Sequence, residues 1–350
     1  MSLVKRVVLL GATVFCLLPV RAGALDTIEE YIREYPNQEQ TRMMNEWLKE
    51  NRPGNFSFTG LVDDSDTTVV TPQATVDYGY AWFSLSEGPA ILRTPQYDRF
   101  FSVSVFDMLH NVPAVIANPT RPILLIRPGQ QAPSGDFDTV MLETDQGLVL
   151  TRMVVVNNAE EVARLGQEIR MEGGDGNMHR EVQRFSPQVE KAGLALIEAS
   201  IPFLDANRAF GKKSGDVGAI TSAGAIMLGQ LGTPVETVRY LPVMEDENGQ
   251  PFRGEKTYEL TVPAGIVEDE GYFSVTAYGV DNRLLIPNAK KIYDQTSYTA
   301  EANSDGTYTI TLSPDGSGKN GIPTGKAFYA ILRAYVPAPD ADMGVKVQTK

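Results

Sequence analysis

Two histidines are the side chains of this sequence that ordinarily exchange protons near neutral pH. His110 follows Asp107 at the end of an alternating, strand-like run, so the two side chains can meet where the strand ends. A histidine base oriented by a carboxylate is the arrangement used by many hydrolases and lyases. The same spacing is also typical of a polar turn that caps a strand. Asp107 and His110 are therefore a candidate catalytic pair, with that turn as the alternative.

A second set of candidates consists of tyrosines and arginines on the polar sides of predicted strands. The set comprises Tyr78, Tyr80 and Arg99 in the first half of the chain, and Tyr278, Arg333 and Tyr335 in the second. Aromatic planes beside a guanidinium suit a sugar or a carboxylate-bearing ligand when such faces line a cleft. The same residue types are ordinary on the solvent-exposed face of an antiparallel sheet. The pattern predicts a ligand site and leaves that alternative open.

No pattern of metal ligands is present. A zinc site needs three or four Cys, His or carboxylate ligands, whereas His110 and His179 are isolated and Cys16 is the single cysteine. His179 follows the glycine-rich segment 173–177 and is expected in an exposed loop. The acidic cluster 63–66 lacks the spacing and the distal glutamate of a calcium loop. We therefore predict neither a metal nor another cofactor.

Motifs of several enzyme classes are also missing. The sequence has no Gly-x-Ser-x-Gly motif, no phosphate loop and no dinucleotide fingerprint. The acidic runs 245–247 and 268–270 are better explained as solvated turns than as glycosidase carboxylates, because adjacent residues on a strand point apart.

Two long segments, 55–157 and 233–350, alternate between apolar and polar residues with the period of a β-strand. In the first, the run 100–106 alternates phenylalanine and valine with serine and predicts a half-buried strand. In the second, the runs 272–278 and 328–336 alternate in the same way. Turns rich in glycine, proline and aspartate separate the runs, as a sandwich or barrel requires.

Residues 25–54 and 158–232 are predicted to be helical. Thr27 and Glu30 form a capping-box pattern ahead of an apolar stripe, and Ser186 followed by a proline is typical of a helix start. The fold class is therefore mainly β with a helical middle segment, and it contains two β-sandwich-like or jelly-roll-like domains.

The first 24 residues have the three parts of a secretory signal peptide. Lys5 and Arg6 precede the apolar run 7–20, and residues 22–24 offer small side chains for cleavage. The run is shorter than the roughly 20 residues that span a bilayer, so no membrane insertion is expected once the signal is removed. We predict export to the periplasm or to the extracellular medium.

The predicted mature chain is acidic and free of cysteine. Removal of the signal leaves 28 basic and 44 acidic residues, a net charge of −16, and removes Cys16. No basic stretch occurs, which argues against nucleic acid or an anionic membrane surface as a partner. A chain without disulfides must be stabilised by its core, and the length suits two domains. The oligomeric state is not predicted.

The two β segments resemble a known pair of bacterial domains of unknown function, numbered 1254 and 1214. In the first segment the resemblance rests on residues 71–75, Tyr78, 88–89, Pro95, Arg99 and Asp107. In the second it rests on 246–249, Gly254, Tyr258, 273–278, Asn288, 305–306, Asn320, Pro323 and 332–337. The resemblance implies β-sandwich-like domains around a helical segment, and it implies no established activity.

Three functional hypotheses follow. The first is an exported protein that binds a small organic or carbohydrate ligand in a β-domain cleft, because polar tyrosine and arginine faces occur without catalytic motifs. The second is a hydrolase- or lyase-type enzyme that uses Asp107 and His110. The third is a structural or interaction protein of the cell envelope, whose β faces pack against a partner.

Overall fold

The computed structural model describes residues 26–67 and 70–350, so the predicted signal peptide lies outside the described residues. The described helices are α1 (Ile28–Trp47), α2 (Ala159–Gly166), α3 (Pro187–Ser200) and α4 (Ala219–Leu228), with 3-10 turns at Ile201–Phe203 and Ala206–Arg208. The described strands form four sheets. The predicted mainly β fold with a helical middle segment is confirmed.

The first sandwich consists of two sheets around one apolar core. Its strands are β1 (Ser57–Leu61), β2 (Val76–Ser84), β3 (Ala90–Arg93), β4 (Phe101–Asp107), β5 (Ala114–Ala117), β6 (Ile123–Ile126), β7 (Asp138–Met141), β8 (Gln146–Val154) and β9 (Arg170–Glu172). The sheet orders are β1-β2-β8-β4-β5 and β7-β6-β3-β9. Phe83, Val103 and Leu125 meet in the core, and Val162 and Leu165 of α2 join them. Part of the predicted helical segment therefore packs on this sandwich.

The second sandwich repeats this plan. Its strands are β10 (Val238–Val243), β11 (Tyr258–Val262), β12 (Val267–Gly279), β13 (Asp294–Thr296), β14 (Tyr308–Ser313), β15 (Ile322–Pro323), β16 (Phe328–Pro337) and β17 (Lys346–Thr349). The sheet orders are β10-β16-β12-β13 and β15-β14-β11-β17. Leu332 and Ala334 of β16 enter the core with Phe273. Because side chains alternate along a strand, Arg333 and Tyr335 lie on the opposite face.

The outer face of the five-stranded sheet is covered. Helix α1 packs Met44 against Trp82, and the second sandwich packs Tyr272 against Phe100. All of β4 is buried as a result, including Ser104. The predicted alternation in β4 is confirmed, but the predicted exposure of its polar side is wrong, because segments distant in the sequence cover that side.

Helix α1 begins at the predicted capping box. Thr27 Oγ1 accepts the backbone N–H of Glu30 at 3.2 Å, and Glu30 Oε2 accepts the backbone N–H of Thr27 at 3.1 Å. Helix α3 begins as predicted at Ser186, whose hydroxyl accepts the N–H of Val189 at 3.4 Å. Within the described part of the chain, no helix has the length and apolar character needed to cross a membrane.

We expect Thr27→Ala to lower the free energy of unfolding by about 1 kcal/mol, because the first turn of α1 loses a hydrogen-bond acceptor. Urea unfolding followed by circular dichroism measures the loss. Thr27→Ser keeps the hydroxyl and should stay within a few tenths of a kcal/mol of the parent. Equal losses in the two variants would contradict a capping role for the hydroxyl.

Candidate ligand-binding cavity

A cavity of about 1040 Å³ lies between the two sandwiches and the helical middle segment. The first sandwich lines it with Tyr78, Tyr80 and Arg152, and the second lines it with Arg333 and Tyr335. The end of α1 and the segment around α4 complete the wall. The volume is at the upper end of the range for small-molecule sites. Four of the predicted ligand residues, Tyr78, Tyr80, Arg333 and Tyr335, are thus brought to one cavity.

Arg152 is the buried charged residue that the first sandwich presents to this cavity. It lies on β8 directly opposite Tyr78 of β2, and its guanidinium carbon is 5.8 Å from the centre of the Tyr78 ring. Nη1 donates to Ser104 Oγ and Nη2 donates to the Leu231 carbonyl, both at 2.9 Å. The side chain is fixed by neutral oxygens, and the residue is 8% exposed.

Arg333 is the buried arginine that the second sandwich presents to the cavity. It lies on β16 directly opposite Tyr240 of β10. Nη2 donates to the Thr71 carbonyl at 3.0 Å, and Nη1 donates to Thr276 Oγ1 at 3.4 Å. The guanidinium carbon is 5.5 Å from the centre of the Tyr278 ring, and the residue is 5% exposed. Both sandwiches therefore present a buried arginine beside a tyrosine.

Neither guanidinium forms an ion pair with a carboxylate of the described residues; their hydrogen-bond acceptors are hydroxyl and carbonyl oxygens. Glu46, Glu50 and Asp66 also line the cavity, but Glu46 and Glu50 are exposed near the end of α1, and Glu46 pairs with Lys49. Arginine stays protonated in proteins, and a buried charge without a directly paired counter-charge is costly. The buried end of the cavity is therefore complementary to an anion.

The backbone that holds these arginines is strained. Thr71, Leu231 and Arg283 all line the cavity and have φ angles of 52°, 65° and 60°. The Thr71 N–H donates to the Arg283 carbonyl at 2.9 Å, while the carbonyls of Thr71 and Leu231 accept from Arg333 and Arg152. Residues with bulky side chains rarely adopt this conformation, and such strain concentrates at functional sites. The strain supports a functional role for the cavity.

Gln73 connects the two sandwiches behind the arginines. Its Oε1 accepts hydrogen bonds from the Tyr272 hydroxyl at 3.1 Å and from the Tyr335 hydroxyl at 2.7 Å. Its backbone N–H donates to the Tyr78 hydroxyl at 3.1 Å. The rings of Tyr272 and Tyr335 are stacked, with centroids 4.6 Å apart. One residue therefore holds three tyrosines at this end of the cavity, two through its side-chain amide and one through its backbone N–H.

A buried carboxylate lies near this network. Asp294 Oδ2 accepts from Thr75 Oγ1 at 3.2 Å. Burial raises the pKa of Asp294 to about 6, although the Thr75 hydroxyl and the charge of Arg333 act in the opposite direction. Asp294 therefore offsets part of the field of Arg333 without forming an ion pair with it.

Two of the predicted ligand residues do not line the cavity. The ring of Tyr278 lies beside Arg333, and its hydroxyl donates to the carbonyls of Pro72 and Thr71 at 2.7 and 3.3 Å. It supports the wall from behind. Arg99 lies elsewhere and donates to the Val156 carbonyl at 2.7 Å. A direct ligand contact by either residue stays a prediction without geometric support.

The side chains of Asp107 and His110 have separate hydrogen-bond partners, although the backbone N–H of His110 donates to the Asp107 carbonyl at 3.2 Å. The Asp107 carboxylate accepts the N–H groups of Leu109 and Asn111 and the Asn111 side-chain amide, at 2.8 to 2.9 Å. His110 Nε2 accepts the Leu231 N–H at 3.1 Å. Burial raises the pKa of Asp107 and lowers that of His110 to about 4. This bonding matches the polar-turn alternative, and the catalytic role stays a prediction.

His179, the second histidine of the sequence, does not line the cavity either. His179 is exposed, and its Nε2 is 4.0 Å from Glu181 Oε1. Within residues 26–67 and 70–350, no group of three or more His, Cys, Asp and Glu side chains is arranged to hold a metal ion.

Sequence reasoning missed Arg152, Gln73 and Tyr240. The signal for Arg152 was present, because this charged residue shares one face of β8 with Leu148 and Leu150. A lone arginine on an otherwise apolar strand face indicates a buried charge. Gln73 lies in a loop before β2, and the partners of its side-chain oxygen are 199 and 262 residues away in the sequence, so no local pattern could reveal its role.

Two family matches cover the parts of the cavity wall that the sandwiches provide. Residues 53–173 match the family described as protein of unknown function (DUF1254), and residues 237–339 match the family described as protein of unknown function (DUF1214). Arg152 lies in the first match and Arg333 lies in the second, so the cavity is built between the two matched regions. Among curated proteins, none matches this chain.

Two solved structures share the fold. The VPA0106 protein from Vibrio parahaemolyticus is 20% identical, with a TM-score of 0.73, and the alignment covers 92% of this chain and 98% of that chain. An uncharacterised protein from Burkholderia cenocepacia is 10% identical, with a TM-score of 0.52, over 92% of this chain and 88% of that chain. At these identities the likeness shows the fold alone. The tandem family matches confirm the resemblance found in the sequence, and this chain belongs to the proteins of unknown function that carry DUF1254 followed by DUF1214.

Proposed function

We propose that this protein binds a small organic anion, a carboxylate on an apolar body, in the cavity between the sandwiches. The observation that carries the proposal is the pair of buried guanidiniums, Arg152 and Arg333, which have no carboxylate partner among the described residues. Each donates to two neutral oxygens and keeps further N–H groups for a ligand. A carboxylate accepts from such donors in strong, directional hydrogen bonds.

The remaining lining supports the apolar part of this proposal. Trp47, Leu150, Phe210, Leu228 and Ile331 all border the cavity. Sites for small molecules are usually lined by apolar and aromatic side chains with a few polar groups that fix orientation. A free sugar is polar over its whole surface and fits such a lining less well than a carboxylate with an apolar body.

Isothermal titration calorimetry with octanoate and 1-octanol tests the proposal, because the two probes share a chain and differ in charge. We expect octanoate to bind and 1-octanol to bind at least tenfold more weakly. Arg333→Met should weaken octanoate binding at least tenfold. The matched control is Arg239→Met, since Arg239 also donates to two carbonyls, those of Pro339 and Ala341, but does not line the cavity.

Equal affinity for the acid and the alcohol would refute recognition of an anion. Failure of any carboxylate to bind, in calorimetry or as a thermal shift, would refute the proposed function as a whole. Loss of affinity in Arg239→Met as large as in Arg333→Met would show that the effect of Arg333 is not local.

We also propose that the protein acts outside the cytoplasm, on the support of the signal-like pattern in residues 1–24. Expression of the full chain followed by fractionation should recover a shortened product outside the cytoplasm. A full-length product retained in the cytoplasm would contradict this part of the proposal.

A further inference from the structure

The lining of the cavity changes from charged to apolar along the first sandwich. Arg152 and Leu150 are successive residues on the cavity side of β8, and Leu150 lies directly opposite Tyr80. The ring of Trp47, from the end of α1, is 4.4 Å from the ring of Tyr80. The lining therefore changes from a guanidinium to apolar and aromatic groups within two residues of Arg152.

The second sandwich shows the same order. From Arg333, the cavity side of β16 continues to Ile331 and then to Tyr329. On the neighbouring strand, Pro242 lies opposite Ile331, and the cavity lining continues to Met244. Four residues of strand span about 13 Å. The apolar part of the cavity is therefore elongated along the strands and begins at the arginines.

The two ends of the cavity differ in exposure. Beyond Arg333, Tyr335 is stacked on Tyr272 and lies against Phe100, so the charged end is closed. At the other end Met244 and Val280 line the cavity and are 51% and 55% exposed. The apolar lining thus reaches the surface at the end opposite Arg152 and Arg333. Arg283 also lines the cavity, and its Nη1 donates to the Leu228 carbonyl at 3.3 Å.

We propose that the ligand is a long-chain aliphatic acid, with its acid group at Arg152 and Arg333 and its tail directed towards Met244 and Val280. This inference rests on the proposed function and specifies the class of organic anion. A compact aromatic acid would occupy the arginine end and leave the elongated apolar part without contacts. An extended chain contacts the full length of both strand faces, and each methylene that it buries adds affinity.

The test is a chain-length series of saturated acids, hexanoate, octanoate, decanoate and dodecanoate, with benzoate and 1-naphthoate as compact acids. The binding of each acid is measured by calorimetry on the chain of residues 25–350, at concentrations below those at which the acids form micelles. We expect the affinity to rise by up to about fourfold for each added methylene. Dodecanoate should bind more tightly than either compact acid.

A variant at the open end locates the tail. Met244→Asp places a charge on an exposed residue where the tail is expected, and should weaken dodecanoate binding at least fivefold while hexanoate binding is unchanged. Met141→Asp is the matched control, because Met141 is equally exposed but does not line the cavity, and it should keep the full chain-length dependence. Because both methionines are half exposed, neither variant is expected to disturb folding.

The outcomes separate this inference from the function on which it rests. A flat series in which benzoate binds as tightly as dodecanoate would overturn the long-chain ligand and leave anion binding intact. A steep series that Met244→Asp does not alter would overturn the assigned path of the tail. Failure of all the acids to bind would remove the proposed function and this inference together.

Discussion

Replacement of Gln73 by leucine is expected to lower the free energy of unfolding by about 2–6 kcal/mol. The substitution removes the acceptor shared by the hydroxyls of Tyr272 and Tyr335, which are both buried. Each buried donor left without a partner costs about 1–3 kcal/mol. Urea unfolding at neutral pH, followed by tryptophan fluorescence and circular dichroism, measures the change.

A double-mutant cycle provides the control for this prediction. In a background that carries Tyr272→Phe and Tyr335→Phe, no hydroxyl can lose its acceptor. Gln73→Leu should therefore lower the free energy of unfolding by less than half as much as in the parent. An undiminished loss in that background would contradict the role of the shared acceptor. That result would show that Gln73 stabilises the protein through packing or through the conformation of its loop.

The second large effect is a loss of stability on acidification that depends on His110. Burial lowers the pKa of His110 from 6.5 to about 4, so between these values the unfolded chain binds a proton that the native protein does not. The contribution of His110 to the free energy of unfolding is fully present above pH 6.5 and decreases as the pH falls towards 4. The decrease amounts to about 3 kcal/mol over that range.

The matched variant is His110→Phe, which keeps a ring between Phe106 and Phe210 but has no nitrogen to accept the Leu231 N–H. The stability difference between the parent and this variant should shrink by up to about 3 kcal/mol between pH 7 and pH 4. Other groups titrate in both proteins and cancel in the comparison. Parallel pH profiles would show that His110 does not titrate in this way.

Much of the fold was predictable because it depends on local patterns. Alternation along β12 and β16 predicted strands with one apolar and one polar face. The capping residues Thr27 and Ser186 predicted where α1 and α3 begin. Burial of both faces of β4 was not predictable. Its second face is covered by α1 and by the second sandwich, and no pattern within β4 records which distant segments pack there.

The candidate site was predictable in part for the same reason. Alternation placed Arg333 and Tyr335 on one polar face, but it did not show that this face meets Tyr78 and Tyr80 across a domain boundary. Arg152 was missed although it interrupts an apolar face of β8. The role of Gln73 depends on hydrogen bonds to residues 199 and 262 positions away. Long-range pairings of this kind are a property of the folded chain alone.

The covered outer face of the first sandwich has a consequence for folding while the chain is being synthesised. A ribosome completes β1 to β9 long before it reaches β16, and domains generally begin to fold from the N-terminus during synthesis. Val76 and Phe100, which pack against Tyr272 and Tyr335 in the finished protein, have no cover at that stage. Apolar surface exposed on such intermediates promotes aggregation. The early half of the chain therefore depends on β12 and β16 of the second sandwich for its protection, and a chain halted before residue 267 is expected to aggregate.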